Sequence, residues 1–207
     1  MIVDSSNNEF IDSYHGSVSL KVKAGNPFDL EGILAPLKDD GGLIFPYTPT
    51  IQFGHQANYG SYDVTHTAYQ PQYFISTQNP SISITANFTA NDIKEASHTA
   101  AMLHFFKTCT KPDFGEQRRT TAGTPPPILN LRVYGRNALH AKATPVVIRS
   151  FNYTLPEDVN YVETEYGIIP TMLVISLELS VQLAPSEVRK QFNINTFAKG
   201  NLLGGFA

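Results

Sequence analysis

The sequence predicts a mainly β protein with antiparallel strands and one flanking helix. Four segments alternate apolar and polar residues at the period of a strand, and one segment repeats apolar residues at the period of a helix. The alternating segments each leave one face polar, which is the habit of antiparallel sheets with a wet side.

The strands follow in order. In Ser17–Lys23, Val18, Leu20 and Val22 point one way while Ser17, Ser19, Lys21 and Lys23 point the other. Ser81–Thr89 sets Ile82, Ile84, Ala86 and Phe88 against Ser83, Thr85 and Asn87. Leu129, Leu131 and Val133 oppose Asn130 and Arg132. Thr171–Leu183 is the longest, with Leu173, Ile175, Leu177, Leu179, Val181 and Leu183 in one stripe opposite Ser176, Glu178, Ser180 and Gln182. Less regular strands are expected at Leu43–Phe53, Tyr69–Gln78 and Pro145–Leu155, the last apolar on both faces near Val146, Val147, Ile148 and Phe151.

The helix is expected over about 91–108. Asn91 can cap it, and Asp92 and Glu95 favour its N-terminal dipole. Ile93, Ala96, Ala100, Leu103 and Phe106 recur at helical spacing and form its expected core face. Thr110–Pro127 is read as a long loop, because Pro112, Gly115, Gly123 and the run Pro125–Pro127 forbid regular structure. No internal repeat divides the chain. Residues 1–207 therefore read as one domain with an N-terminal segment and an extended C-terminal arm from 185 to 207.

Composition narrows the function. A net charge of -3 argues against a general phosphate-binding surface. Charged residues are 16% of the chain, below the roughly 25% usual for soluble proteins, so neutral polar groups or partners must cover much of the surface. The single cysteine, Cys109, excludes an internal disulfide and a cysteine zinc cluster, and its place on an apolar helix face predicts a buried thiol. No apolar run approaches the ~20 residues of a membrane-spanning helix, and no secretory leader is expected.

Catalytic patterns fail on spacing. His98 and His104 lie six apart, roughly 240° around a helix, too far round to share one ion. His15, His55, His66 and His140 have no carboxylate at ligand spacing. Asp113-Phe114-Gly115 matches a kinase tripeptide, but the phosphate loop and catalytic loop it would need are missing. No enzyme activity, metal or cofactor is expected.

A second kind of pattern is an absence. From Asp39 to Ile93 there is no lysine or arginine, and Asp63 is the sole acid between Asp40 and Asp92. The stretch is rich in Tyr, Gln, Asn, Ser and Thr. Subunit interfaces lose lysine and gain tyrosine, and a passage for nucleic acid must avoid cations that would hold phosphate. Gln52, Tyr59, Tyr62, Asp63, Thr65, Tyr69, Gln72 and Tyr73 are the candidate residues for such an interface or channel.

An ordered series of short motifs adds a family likeness. Asn91–Ala96, His104–Thr108, Asp113–Gly115, Ala122–Pro127 with Tyr134-Gly135, Phe151–Pro156, Val159-Asn160-Tyr161-Val162 and Ala198-Lys199-Gly200 occur in sequence. Together they resemble the baseplate tube proteins of contractile-tailed phages, called tail tube initiators, tube caps or baseplate–tail-tube junction proteins. The likeness spans roughly residues 45–200 and rests on order and spacing, since no single motif is diagnostic.

The resemblance implies a phage tail-tube fold, with β-sandwich or barrel-forming sheets and one flanking helix. It also implies a virion protein assembled in the host cytoplasm, whose six copies form a ring around passing DNA. The ring would join a baseplate hub protein to the tail tube protein or to a second initiator ring, with tape-measure and sheath proteins as neighbours. No membrane partner is expected. The other classes are the major tail tube protein itself, which would polymerise, and a phage cell-wall hydrolase, which would need a carboxylate or zinc constellation.

Overall fold

The computed structural model describes residues 18–23, 28–114, 123–133 and 143–199. The expected N-terminal segment, the middle of the loop after the helix, Tyr134-Gly135, His15, His140 and the end of the arm lie outside them.

The protein is mainly β, with antiparallel strands and few helices. Its strands are β1 (Val18–Val22), β2 (Gly42–Ile44), β3 (Thr50–Gly54), β4 (Ala57–Ser61), β5 (Gln72–Thr77), β6 (Ser81–Thr89), β7 (Leu129–Val133), β8 (Thr144–Thr154), β9 (Tyr161–Thr164), β10 (Gly167–Pro170) and β11 (Met172–Val181). Seven form one sheet in the order β2-β1-β7-β8-β11-β6-β3, while β4-β5 and β9-β10 are separate two-stranded pairs. All pairings are antiparallel.

The seven-stranded sheet is rolled. β2 and β3 sit at its opposite edges, yet only residues 45–49 join them. Flat, those edges would stand about 29 Å apart, whereas the Cα steps from Ile44 to Thr50 reach only about 21 Å. Contacts between the two margins fit this curl. Phe45, just after β2, meets Phe88 of β6 with ring centroids 5.9 Å apart, and the Tyr47 hydroxyl lies 2.8 Å from Thr89 Oγ1. The inner face supplies the core: Val18, Leu20, Ile82, Ile84, Phe88, Leu129, Leu131, Leu173, Ile175, Leu177 and Leu179 are all buried in one cluster. The four clearly alternating segments are strands with the expected faces inward.

The less regular segments depart from expectation. Leu43–Phe53 is two strands, because Pro46 and Pro49 cannot donate to a ladder and break the segment between β2 and β3. β5 starts at Gln72, after Pro71, rather than at Tyr69. β4, β9 and β10 were not foreseen, nor was the short 3-10 turn Gly32–Leu37, which buries Leu34 and Leu37. Gly42 has φ 149° and lies so close to the β1 backbone at Leu20 and Lys21 that a Cβ would collide.

Helix α1 runs Ile93–Cys109. Its cap is Asp92 rather than Asn91: Asp92 Oδ1 accepts from Glu95 N at 2.8 Å, and Glu95 Oε2 accepts from Asn91 N at 2.8 Å. This reciprocal pair satisfies two donors at the helix start, much as a capping box does. The expected core face needs correction. Ala101, Met102, Phe105, Phe106 and Cys109 join the main core, while Ala96 and Ala100 pack with Val162 and Ile169 of β9–β10. These two contact faces lie roughly 170° apart around the helix. The predicted stripe mixes the two faces: Ala96 and Ala100 lie on the hairpin side, Phe106 lies in the main core with Leu103 half-buried against it, and Ile93 is 65% exposed.

The described part of the C-terminal arm, up to residue 199, contains two short helices. Pro185–Gln191 forms α2, with Pro185 in its first turn, and Ile194–Ala198 forms α3, whose start is capped by Asn193 Oδ1 accepting from Asn195 N at 2.9 Å.

Candidate inter-subunit and channel surface

β3 and β6 extend past the body as a second, exposed ribbon. Beyond Gly54 and Ser81 the chain continues into β4 and β5, and Gln78 N donates to Gln56 O at 2.9 Å between the two pairs. Apart from Asp63, no charged residue lies on the ribbon or in the loop that closes it.

The ribbon stabilises itself by local pairs. Tyr59 and Phe74 face each other across the strands, edge to face at 5.8 Å. Tyr62 and Tyr73 meet at 4.6 Å, and the Tyr73 ring covers Gly60, leaving no room there for a Cβ. A bulge between Asn58 and Tyr59 leaves Ile75 unpaired. Nearer the body, Asn58 Oδ1 accepts from Gln56 Nε2 at 3.4 Å and from Gln78 Nε2 at 3.5 Å, and Asn58 Nδ2 donates to Ser76 Oγ at 3.4 Å. In the closing loop, Gln70 Nε2 donates to Asp63 Oδ1 at 3.4 Å.

Every candidate residue is exposed. Tyr59, Tyr62, Gln72 and Tyr73 lie on or beside the ribbon strands, Asp63, Thr65 and Tyr69 lie in the closing loop, and Gln52 lies on the outer face of β3 opposite Ser83. Tyr59 is 60% and Tyr69 79% exposed, while Phe74 and Ile75, which the sequence reading did not single out, are equally open. Full burial of one such side chain is worth about 1.5–3 kcal/mol. A contiguous run of them is the mark of a surface made for contact.

The structure adds a face that one segment alone could not reveal. On the outer side of the sheet Gln52, Ser83, Glu178 and Ser150 stand in one row, and Thr50, Thr85, Ser176 and Asn152 in the next, with Asn87, Val174 and Thr154 beyond. Six of these eleven residues come from a second cation-free stretch, since no lysine, arginine or histidine occurs between Arg149 and Arg189. That absence was open to the same count as the first, and only the pairing of β11 with β6 gives it meaning. The cations of the sheet lie elsewhere: Lys21 opposite Asn130 and Arg132 opposite Ser19 on β1 and β7. Arg149 borders the neutral face at a bulge and lies 3.5 Å from Glu178. Both partners are well exposed, so the pair offsets charge more than it adds stability.

Titratable groups elsewhere are buried singly. Burial pushes the Cys109 thiol up to about 12, which keeps it protonated and unreactive. Burial also lowers His98, with Asp40 opposing in part. Among the described residues no group of three His, Cys, Asp or Glu could hold a metal ion, and no helix is long and apolar enough to cross a membrane. Asp113 pairs its backbone with Thr124, and Phe114 is 73% exposed.

No protein-family model matches the chain, and no curated protein matches it significantly.

Proposed function

We propose that this chain is a structural subunit of a ring, and specifically the tube-initiating ring of a contractile phage baseplate. The ring would join the hub to the tail tube and let DNA pass through its bore. The observation that carries the reading is the neutral outer face of β3, β6, β11 and β8 running into an unburied aromatic ribbon. The ribbon supplies what a subunit contact needs, namely desolvatable tyrosine and phenylalanine without lysine. The neutral face supplies what a DNA passage needs. Each side chain repeats in every copy of a ring, so one inward cation becomes a circle of cations, and phosphate affinity climbs steeply with the number of contacts. Ser, Thr, Asn and Gln hydrate such a wall with little hold on phosphate, and Glu178 beside Arg149 leaves it near neutral. The chemistry of the role is templating, with no reaction. The phage assignment itself leans on the motif series described above.

Electron microscopy of the purified chain tests it. Closed rings with a central hole are expected, and replacing Tyr59 and Phe74 by serine should leave folded monomers. Long tubes would favour the major tail tube protein instead. A chain that never associates would remove the ring reading.

A further inference from the structure

Two exposed apolar surfaces stand at opposite ends of β11. The β9–β10 hairpin precedes it, tied in by Thr171 N donating to Asn160 O at 2.8 Å. With its inner side on α1, the hairpin presents an outer side where Glu163 sits opposite Ile168, beside Tyr161. Ile168 is 67% and Tyr161 51% exposed. Glu157, Asp158 and Glu165 are exposed around them, and residues 157–168 contain no cation.

The arm follows β11 at the far end, about 30 Å of strand away. Val188, Phe192 and Ile194 are all exposed on it, and no residue of α3 is buried. Arg189, Lys190 and Lys199 are exposed as well, against a single acid in this stretch of sequence, Glu187. One surface is thus apolar and acidic, the other apolar and basic. The aromatic ribbon is a poorer counterpart for the arm, since Asp63 is its sole acid.

We propose that residues 185–199 of one copy dock on the outer face of the β9–β10 hairpin of a second copy. Val188, Phe192 and Ile194 cover Tyr161 and Ile168, and Arg189 and Lys190 face Glu163 and Glu165. The contact uses different patches on the two copies, so it is heterologous and builds a closed ring or a continuing stack. It does not depend on the DNA-passage reading.

Sedimentation velocity on the full chain tests it through charge reversal. E163K/E165K and R189E/K190E should each weaken self-association about tenfold or more, and raising salt should weaken the unaltered chain. Mixing the two variants should restore association, as should all four substitutions in one chain, with thermal melts confirming folded protein. Carbodiimide coupling in a mixture of light and 15N-labelled chains should join Lys190 to Glu163 or Glu165 between copies. The proposal is overturned by a monomeric unaltered chain, by reversals without effect, or by reversals that complementary charges fail to rescue. Cross-links confined to one chain, or running to Asp63, overturn it as well. Rings that persist through both reversals would keep the ring reading and remove this contact.

Discussion

β5 and β6 lie three residues apart in sequence and behave oppositely. In β6, Ile82, Ile84, Ala86 and Phe88 are all buried, while in β5, Tyr73, Phe74 and Ile75 are all exposed. Both segments are strands and both are rich in β-forming residues. The difference is what lies beneath them. β6 sits between β11 and β3 in a sheet that rolls over its own inner face, whereas β5 pairs with β4 in a two-stranded ribbon that no other described residues cover. A hairpin alone is marginal in water. The ribbon therefore holds by aromatic pairs and a polar cluster, and leaves most of its apolar surface exposed.

The sharpest break between the two regions should appear in stability. Phe106→Ala, which empties part of the fully buried core, should cost about 3–5 kcal/mol in urea unfolding. Phe74→Ala on the ribbon should change the isolated chain by less than about 0.5 kcal/mol. A ribbon loss as large as the core loss would mean that the ribbon packs on its own body.

Alkaline unfolding should sharpen the contrast further. The buried Cys109 thiol keeps its proton to about 12 when folded, against 9.0 in the open chain. Its contribution is complete below pH 9 and declines as pH rises toward 12, by at most about 4 kcal/mol. Cys109→Ala should flatten that part of the pH profile, measured by urea unfolding across the alkaline range.

Acid unfolding gives a smaller effect with the opposite sign. Burial holds His98 below its ordinary value, so the unfolded chain takes up this proton more readily. Stability should fall as pH drops below about 6.5 and through the folded value. His98→Gln should lessen that slope, measured by thermal melts across the acid range.

The smallest change in stability should accompany the largest change in DNA behaviour. Ser83→Lys places a cation on the neutral face and should shift folding by less than about 0.5 kcal/mol. In assembled rings it should turn weak, salt-insensitive contact with duplex DNA into salt-dependent binding, with a slope growing by about 0.9 for each phosphate engaged. Lys21→Ser, on the β1–β7 side, should leave DNA binding unchanged if the neutral face alone borders the bore. Anisotropy titrations at several salt concentrations compare the two.

Much of this was legible in the sequence. The inward faces of β1, β6, β7 and β11 follow from period-two alternation, because a half-buried strand must put its apolar residues on one side. The helix was found, but its expected face ran across both contact faces, with Phe106 in the main core and Ala96 and Ala100 under the hairpin. Ala96, Ala100 and Leu103 make a regular stripe, and nothing local says that β9–β10 covers part of it while Phe105 and Met102 meet the sheet. The exposed aromatic segment was visible as a loss of lysine and a gain of tyrosine. Its neutral continuation was not visible, because Ser176 and Asn152 stand far from Thr85 in sequence and become neighbours only through strand pairing.

What the sequence determined by itself is therefore local. Alternation set the strand faces, prolines broke Leu43–Phe53, and an acid pair started the helix, since each depends on backbone geometry within a few residues. Tertiary structure decided which surfaces adjoin. The roll of the sheet follows from a short link between its two edges. The neutral face follows from antiparallel pairing of distant strands, and the open ribbon follows from the lack, among the described residues, of a layer beneath β4 and β5. Those outcomes depend on contacts across the chain, which no local pattern encodes.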